Sequence, residues 1–201
     1  MCIRDSTNTG VDVTDYYAET VDDPARPTRY RLDGAWQPLE RRVEVYRGKD
    51  GAAVGADTLY FTHRGPMRRQ NAVGAPSADG RWTSLRWTVL EPGDELGAFR
   101  DAARAATARD FLDRLARGYR SPAQNVLAAD RGGTIAIRST GRFPVRPDSL
   151  GGDVVRDGAL RASDWRGDLP LDRYPQAFAP AQGFLASANQ QPVDPRLTHD
   201  Y

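Results

Sequence analysis

Three stretches of this 201-residue sequence place polar groups where chemistry could use them. The first is Thr7-Asn8-Thr9-Gly10-Val11-Asp12-Val13-Thr14-Asp15, in which the carboxylates of Asp12 and Asp15 flank the carbonyl of Thr14. Oxygen ligands at that spacing suit a hard cation such as Ca²⁺. The same residues equally allow an Asx-rich turn capping the next element. The second stretch is Ala188-Asn189-Gln190-Gln191-Pro192. Its amides suit a polar turn, and an asparagine amide such as that of Asn189 is also a donor that stabilises a developing oxyanion. The third feature is Trp87, which read locally is a core aromatic on a strand.

The usual catalytic signatures are missing. There is no CxxC pair, HExxH, phosphate-binding glycine loop, GxGxxG or GxSxG in the sequence. His63 and His199 are the only histidines and lie far apart, and Cys2 is the only cysteine. A free-standing metalloenzyme, a Ser-His-Asp hydrolase and an internal disulfide are thereby disfavoured.

The elements that must position the candidate residues read as strands, then helices, then strands. Arg29–Leu32 and Ala35–Trp36 flank Asp33-Gly34, the signature of a tight hairpin. Arg42–Tyr46 alternates polar and apolar residues as a half-buried strand should, and Thr58–Thr62 and Arg81–Leu90 follow as further strands. Two helices are expected over Asp94–Ala106 and Ala108–Arg117. The first should bury Leu96, Phe99, Ala103 and Ala106, and the second Phe111, Leu112 and Leu115. Thr107 with Asp110 forms a cap, and Gly118 is placed to stop the helix. Asn125–Asp130 and Thr134–Arg138 make a second hairpin, and residues 141–180 read as an ordered, loop-dominated segment. This order predicts an α+β fold, rich in β structure with two central helices.

Composition narrows the function classes further. The 28 basic and 27 acidic residues give a net charge of +1, which argues against a nucleic-acid binder. All basic residues but Lys49 are arginine, and 19 Gly with 14 Pro point to a loop-rich chain. The mean hydropathy of −0.63 goes with the absence of any apolar run long enough for a membrane span. The start MCIRDS has no apolar signal-peptide region and resembles a translated assembly linker, so residues 1–6 are expected to be non-native and residues 7–201 to form the domain.

Taken in order, six pieces resemble the penicillin acylase family of N-terminal-nucleophile hydrolases. They are TNTGVDVTDYYAE, YRLDGAWQPLERRVEVYRGKDG, HRGP, SPAQNVLAADRGGTIAIRSTGRFPVR, DWRGDLPLDRYPQAFAPAQGFLASANQQPVD and the end of the chain. The resemblance implies part of an αββα sandwich, incomplete here. It also implies a precursor cut to expose a β-chain serine whose own α-amine serves as base. That serine would lie several dozen residues before Thr7, outside this sequence. The implied reaction is hydrolysis of a small-molecule amide, the acyl side chain of a penicillin, acyl-homoserine lactone or lipopeptide.

By the same resemblance, the Thr9 backbone N–H and the Asn189 side-chain amide match the two halves of an oxyanion hole. Thr7, Trp87 and Gln124 match positions lining the acyl pocket. Asp12, the Thr14 carbonyl, Asp15 and Asp200 match a structural Ca²⁺ site. The α chain of the same precursor would be the protein partner, and the location periplasmic or secreted. Departures are Gln190 and Gln191 in place of a frequent asparagine and arginine, Arg64 between His63 and Gly65, and polar Gln124 at a commonly apolar pocket position. A non-catalytic, calcium-stabilised binding module and a pseudoenzyme without the serine are the competing readings.

Overall fold

The computed structural model describes residues 3–69, 81–148 and 150–192. In chain order the strands of the first half are β1 (Ile3–Asn8), β2 (Thr14–Glu19), β3 (Arg29–Leu32), β4 (Ala35–Pro38), β5 (Glu40–Arg47), β6 (Ala53–Thr62), β7 (Gly65–Arg68) and β8 (Trp82–Trp87). Helices α1 (Glu95–Ala102) and α2 (Ala108–Gly118) follow, then β9 (Gln124–Ala129), β10 (Ile135–Thr140), β11 (Val155–Asp157) and β12 (Gln176–Phe178). The chain divides into two units: residues 1–13, 88–151 and 165–201, and residues 14–87 with 152–164.

The first unit is an antiparallel sheet in the order β1-β9-β10-β12 with both helices packed on it. The expected second hairpin is its centre, pairing Ile135 with Ala129 through Thr140 with Gln124. Asp94 caps α1 through the Gly97 N–H at 2.9 Å, and Thr107 caps α2 through the Asp110 N–H at 3.1 Å. As expected, α2 buries Phe111, Leu112 and Leu115, which pack with Val126, Ala128 and Ala136 of the sheet. The buried face of α1 differs from the expectation. Leu96 is 85% and Phe99 43% exposed, while Ala98 and Ala102 are buried. The reason is proximity: a Cβ at Gly118 would stand 2.9 Å from the Ala98 Cβ, so the two helices meet across residues too small to read as an apolar face. Gly118 is accordingly the last helical residue of α2, and Tyr119 is its C-cap.

The two ends of the long loop-dominated segment belong to this unit and meet through Phe143 and Tyr174, whose rings pack edge-on at 4.6 Å. Tyr174 donates to the Gly141 carbonyl at 2.7 Å, and burial pushes its phenol pKa up to about 12.

The second unit holds a six-stranded sheet, β11-β2-β8-β7-β6-β5, and the separate hairpin β3-β4. Asp33 and Gly34 both take positive φ, 47° and 80°, as the D-G turn requires. Strand β5 departs from the half-buried expectation, being exposed along its whole length, and β6 is exposed over most of its own. Along β2 the buried positions are Asp15, Tyr17 and Glu19.

Two buried carboxylates need counter-charges, and Arg64 supplies the one for Glu19, with Nη1 3.0 Å from Oε1. The same guanidinium donates to Asp164 Oδ1 at 2.6 Å and to the carbonyls of Gly158 and Leu160 at 2.9 and 3.1 Å. It lies 4.4 Å over the Tyr17 ring. His63 Nε2 meets the other Asp164 oxygen at 3.0 Å, and the Tyr30 hydroxyl meets His63 Nδ1 at 2.9 Å. Arg64, which interrupts the family-like His-Gly pair, is therefore the hub that ties residues 158–164 to the sheet.

Candidate functional site

The end of β1 is where the sequence candidates converge. Beyond Asn8 the chain leaves the sheet at Thr9, which is fully buried. The Thr9 hydroxyl donates to the Ala123 carbonyl at 3.4 Å and accepts from the Val11 N–H at 3.2 Å. Gly10 turns with φ +66°, and its N–H donates to Asn8 Oδ1 at 2.7 Å. An Asx turn is thus present at the first stretch, one residue before Thr9.

Asn189 arrives at this strand end from 181 residues beyond Asn8. Its Oδ1 accepts the Asn8 N–H at 2.8 Å, and a Cβ at Gly10 would lie 3.9 Å from the Asn189 carbonyl. With the oxygen so held, the amide presents its nitrogen as a donor in a fixed direction. Asn189 has φ +63°, a left-handed conformation that asparagine tolerates better than most residues. The structure therefore brings Asn189 to the Asn8–Gly10 backbone, next to Thr9 in the chain.

The pocket residues behave differently. Thr7 sits opposite Asn125 in the β1-β9 register and Gln124 opposite Asn8, so Thr7 and Gln124 face opposite sides of the sheet. The Thr7 hydroxyl bonds to that of Ser187. Gln124 instead lines a cavity of about 290 Å³ with Ser6, Phe99, Phe111, Leu115 and Tyr119. Trp87 belongs to the second unit and is 39% exposed, so it is not the core aromatic of the local reading.

Two of the four expected calcium ligands, Asp12 and Asp15, have cationic partners. In the first unit Asp12 Oδ1 lies 3.2 Å from Arg146 Nη2, whose side chain is fully buried. In the second, the wholly buried Asp15 lies 3.2 Å from Arg156 Nε. Thr14 opens β2, and Asp200 lies outside the described residues. Among the described residues no three ligating side chains gather as a metal site would require. A cation at Asp12 or Asp15 would have to compete with these guanidinium pairs. Millimolar Ca²⁺ or a chelator is expected to leave the thermal midpoint of the chain unchanged. A cation bound at 100 times its dissociation constant would instead add about 2.7 kcal/mol, readily seen by calorimetry.

Two residues at the site carried no signal in the sequence. Asn8 acts through its main chain and Asn125 from inside the sheet, and neither position announces itself by residue type alone.

The antiparallel sheet with two helices packed on it is an α+β architecture. This chain is similar to the thermostable penicillin G acylase from Alcaligenes faecalis in orthorhombic form, with a TM-score of 0.78 and 26% identity, over 96% of this chain and 33% of that one. Residues 6–201 match the family model described as penicillin amidase, and the chain belongs to that family. Curated relatives include the acyl-homoserine lactone acylase QuiP of Pseudomonas fluorescens Pf-5, 30% identical over 188 residues and 90% of this chain. The protein of the same name from Pseudomonas syringae pv. syringae B728a is 29% identical over 187 residues and 93% of this chain. The chain spans 22% of the length of each of these two relatives.

Proposed function

We propose that this chain supplies the oxyanion-binding portion of an acylase that hydrolyses the acyl amide bond of a small molecule. The observation that carries the reading is the Asn8 N–H bond to Asn189 Oδ1, which fixes the Asn189 amide beside the Thr9 backbone. In this reading a serine outside the chain attacks the amide carbonyl, its hydroxyl proton passing to its own α-amine. The carbonyl oxygen gains negative charge and is met by the Thr9 N–H and Asn189 Nδ2. The amine then protonates the departing nitrogen as the C–N bond breaks. Water cleaves the resulting ester, releasing the acid and restoring the serine.

The names of the relatives support N-acyl-homoserine lactones first and penicillins second as substrates. A companion chain from the same precursor and a periplasmic or secreted location belong to the same proposal, on the family resemblance. The test joins residues 7–201 to a serine-bearing N-terminal segment as one acylase and follows release of primary amine with an amine-reactive dye. Amine release from an acyl-homoserine lactone, with the matching fatty acid, is the expected result. No release from lactone, penicillin or lipopeptide amides overturns the reading.

A further inference from the structure

A fixed amide donor is only as well placed as the loop that bears it, and the loop around Asn189 has few apolar anchors. Residues 188–191 are exposed, and Asn189 is in the left-handed region. Within the loop, the Ala188 N–H donates to Gln190 Oε1 at 2.6 Å and Gln190 Nε2 reaches the Ala186 carbonyl at 3.4 Å. These bonds shape the loop but do not attach it to the sheet.

The attachment comes from beneath. Asn125 of β9 is 1% exposed, and its Nδ2 donates on one side to Ser187 Oγ and on the other to the Gln190 carbonyl, each at 3.4 Å. Those two acceptors bracket Asn189 in the chain. The Asn125 amide is itself oriented, because its Oδ1 accepts from Ser139 Oγ of β10 at 2.7 Å. Ser187 is held a second time by the Thr7 hydroxyl of β1. Three adjacent strands thus contribute one polar side chain each to a clamp on the segment that carries Asn189. A cavity of about 210 Å³ lies alongside, lined by Asn125, Ser139, Gln190 and Gln191 among others.

We propose that Asn125, oriented by Ser139, is the positioning residue for the Asn189 amide. It holds the 187–190 segment in the one arrangement that aims Nδ2 at the developing oxyanion. The proposal rests on the reading of Asn189 given above. It also states something that reading does not: where the preorganisation of the donor comes from.

Asn125→Asp tests it with little change of shape. The carboxylate still accepts from Ser139 but loses both donors to the loop. In the 201-residue chain, amide hydrogen exchange at Asn8 reports the Asn8–Asn189 bond directly. Exchange there should accelerate in Asn125→Asp as much as in Asn189→Ala, with no further acceleration in the double variant. In the serine-bearing acylase, Asn125→Asp should lower kcat about tenfold with KM unchanged, since a misplaced donor loses part of its contribution. That loss should vanish in an Asn189→Ala background, as coupled residues require.

Equal losses of kcat in both backgrounds would mean a merely structural role and overturn the proposal, as would unchanged exchange at Asn8. If Asn189→Ala itself left kcat intact, the oxyanion reading would fall, while the Asn8 exchange result would still decide whether Asn125 holds the loop. Should Asn125→Asp not fold, Ser139→Ala releases only the orienting bond and carries the same expectations.

Discussion

Replacing Arg64 with methionine is expected to lower the stability of the chain by about 3–5 kcal/mol, the usual loss when one partner of a buried ion pair is removed. Methionine keeps an apolar stem of similar length but removes the guanidinium that lies over Tyr17 and strips Glu19, Asp164 and two carbonyls of a donor at once. The side chains of Arg64 and Glu19 are 1% and 0% exposed, so water cannot replace what is lost. Arg42→Met is the matching control. Its partner Glu40 and Arg42 itself are both more than half exposed, and the urea midpoint should barely move.

The pH dependence of that experiment has a definite sign. Burial works against the Asp164 carboxylate, but hydrogen bonds from His63 and Arg64 outweigh it and hold its pKa below the usual range. Its contribution is therefore present above the ordinary carboxylate pKa and is lost as pH falls through the lowered value. Glu19 runs the other way. Burial raises its pKa despite bonds from Ser84 and Arg64, so its contribution is present below the ordinary value and is lost as pH rises through the raised one. Without Arg64 both carboxylates ionise against a weaker field. The deficit of Arg64→Met relative to the parent chain should widen as pH climbs from about 4 toward neutrality, which unfolding titrations at a series of pH values would record.

In the serine-bearing acylase, Asn189→Ala is expected to reduce kcat by about 10²–10³-fold, or about 2.7–4 kcal/mol of transition-state stabilisation. KM should change little, because the ground-state carbonyl carries far less charge than the oxyanion. Alanine at φ +63° also loses the tolerance asparagine has there, costing roughly 1 kcal/mol locally. A circular-dichroism melt should therefore accompany the kinetics. Asn189→Asp keeps the shape and the acceptor for the Asn8 N–H but replaces the donor with negative charge, and it should be at least as damaging. A kcat near that of the parent enzyme in both variants would remove Asn189 from the site.

Much of the fold was legible because it is locally encoded. The Asp33-Gly34 turn, the Thr107 cap and the hairpin around Gly132 and Gly133 each depend on residues within a few positions of one another. β2 was not legible, for a specific reason: two of its three inward positions are the carboxylates Asp15 and Glu19, so the apolar alternation that marks a half-buried strand is missing. The arginines that make those positions tolerable, Arg156 and Arg64, lie 141 and 45 residues away in the sequence. The face of α1 was misjudged because close approach selected alanine at 98 and 102 over the larger Leu96 and Phe99. At the candidate site, family resemblance alone pointed to Asn189 and Thr9. The residue that holds Asn189 could come only from strand register, which sets Asn125 across from Thr7 and Ser139.

The exposed hairpin of β5 and β6 has a bearing on strand alignment. A strand with one buried face cannot slip by a residue without turning its apolar side chains to water, but β5 has no buried face to enforce that rule. Alignment must instead be set by a few local locks. The Tyr46 hydroxyl donates to Asp57 at 2.8 Å, and its ring lies over Gly55, where a Cβ would come within 3.7 Å of the ring edge. Arg47 closes the turn onto the Gly51 carbonyl at 2.9 Å, next to the one irregularity in the ladder, between Tyr46 and Arg47. One tyrosine and one turn thus help choose the pairing of the longest ribbon among the described residues. A sequence free to vary along the rest of β5 keeps its registration as long as those residues stay.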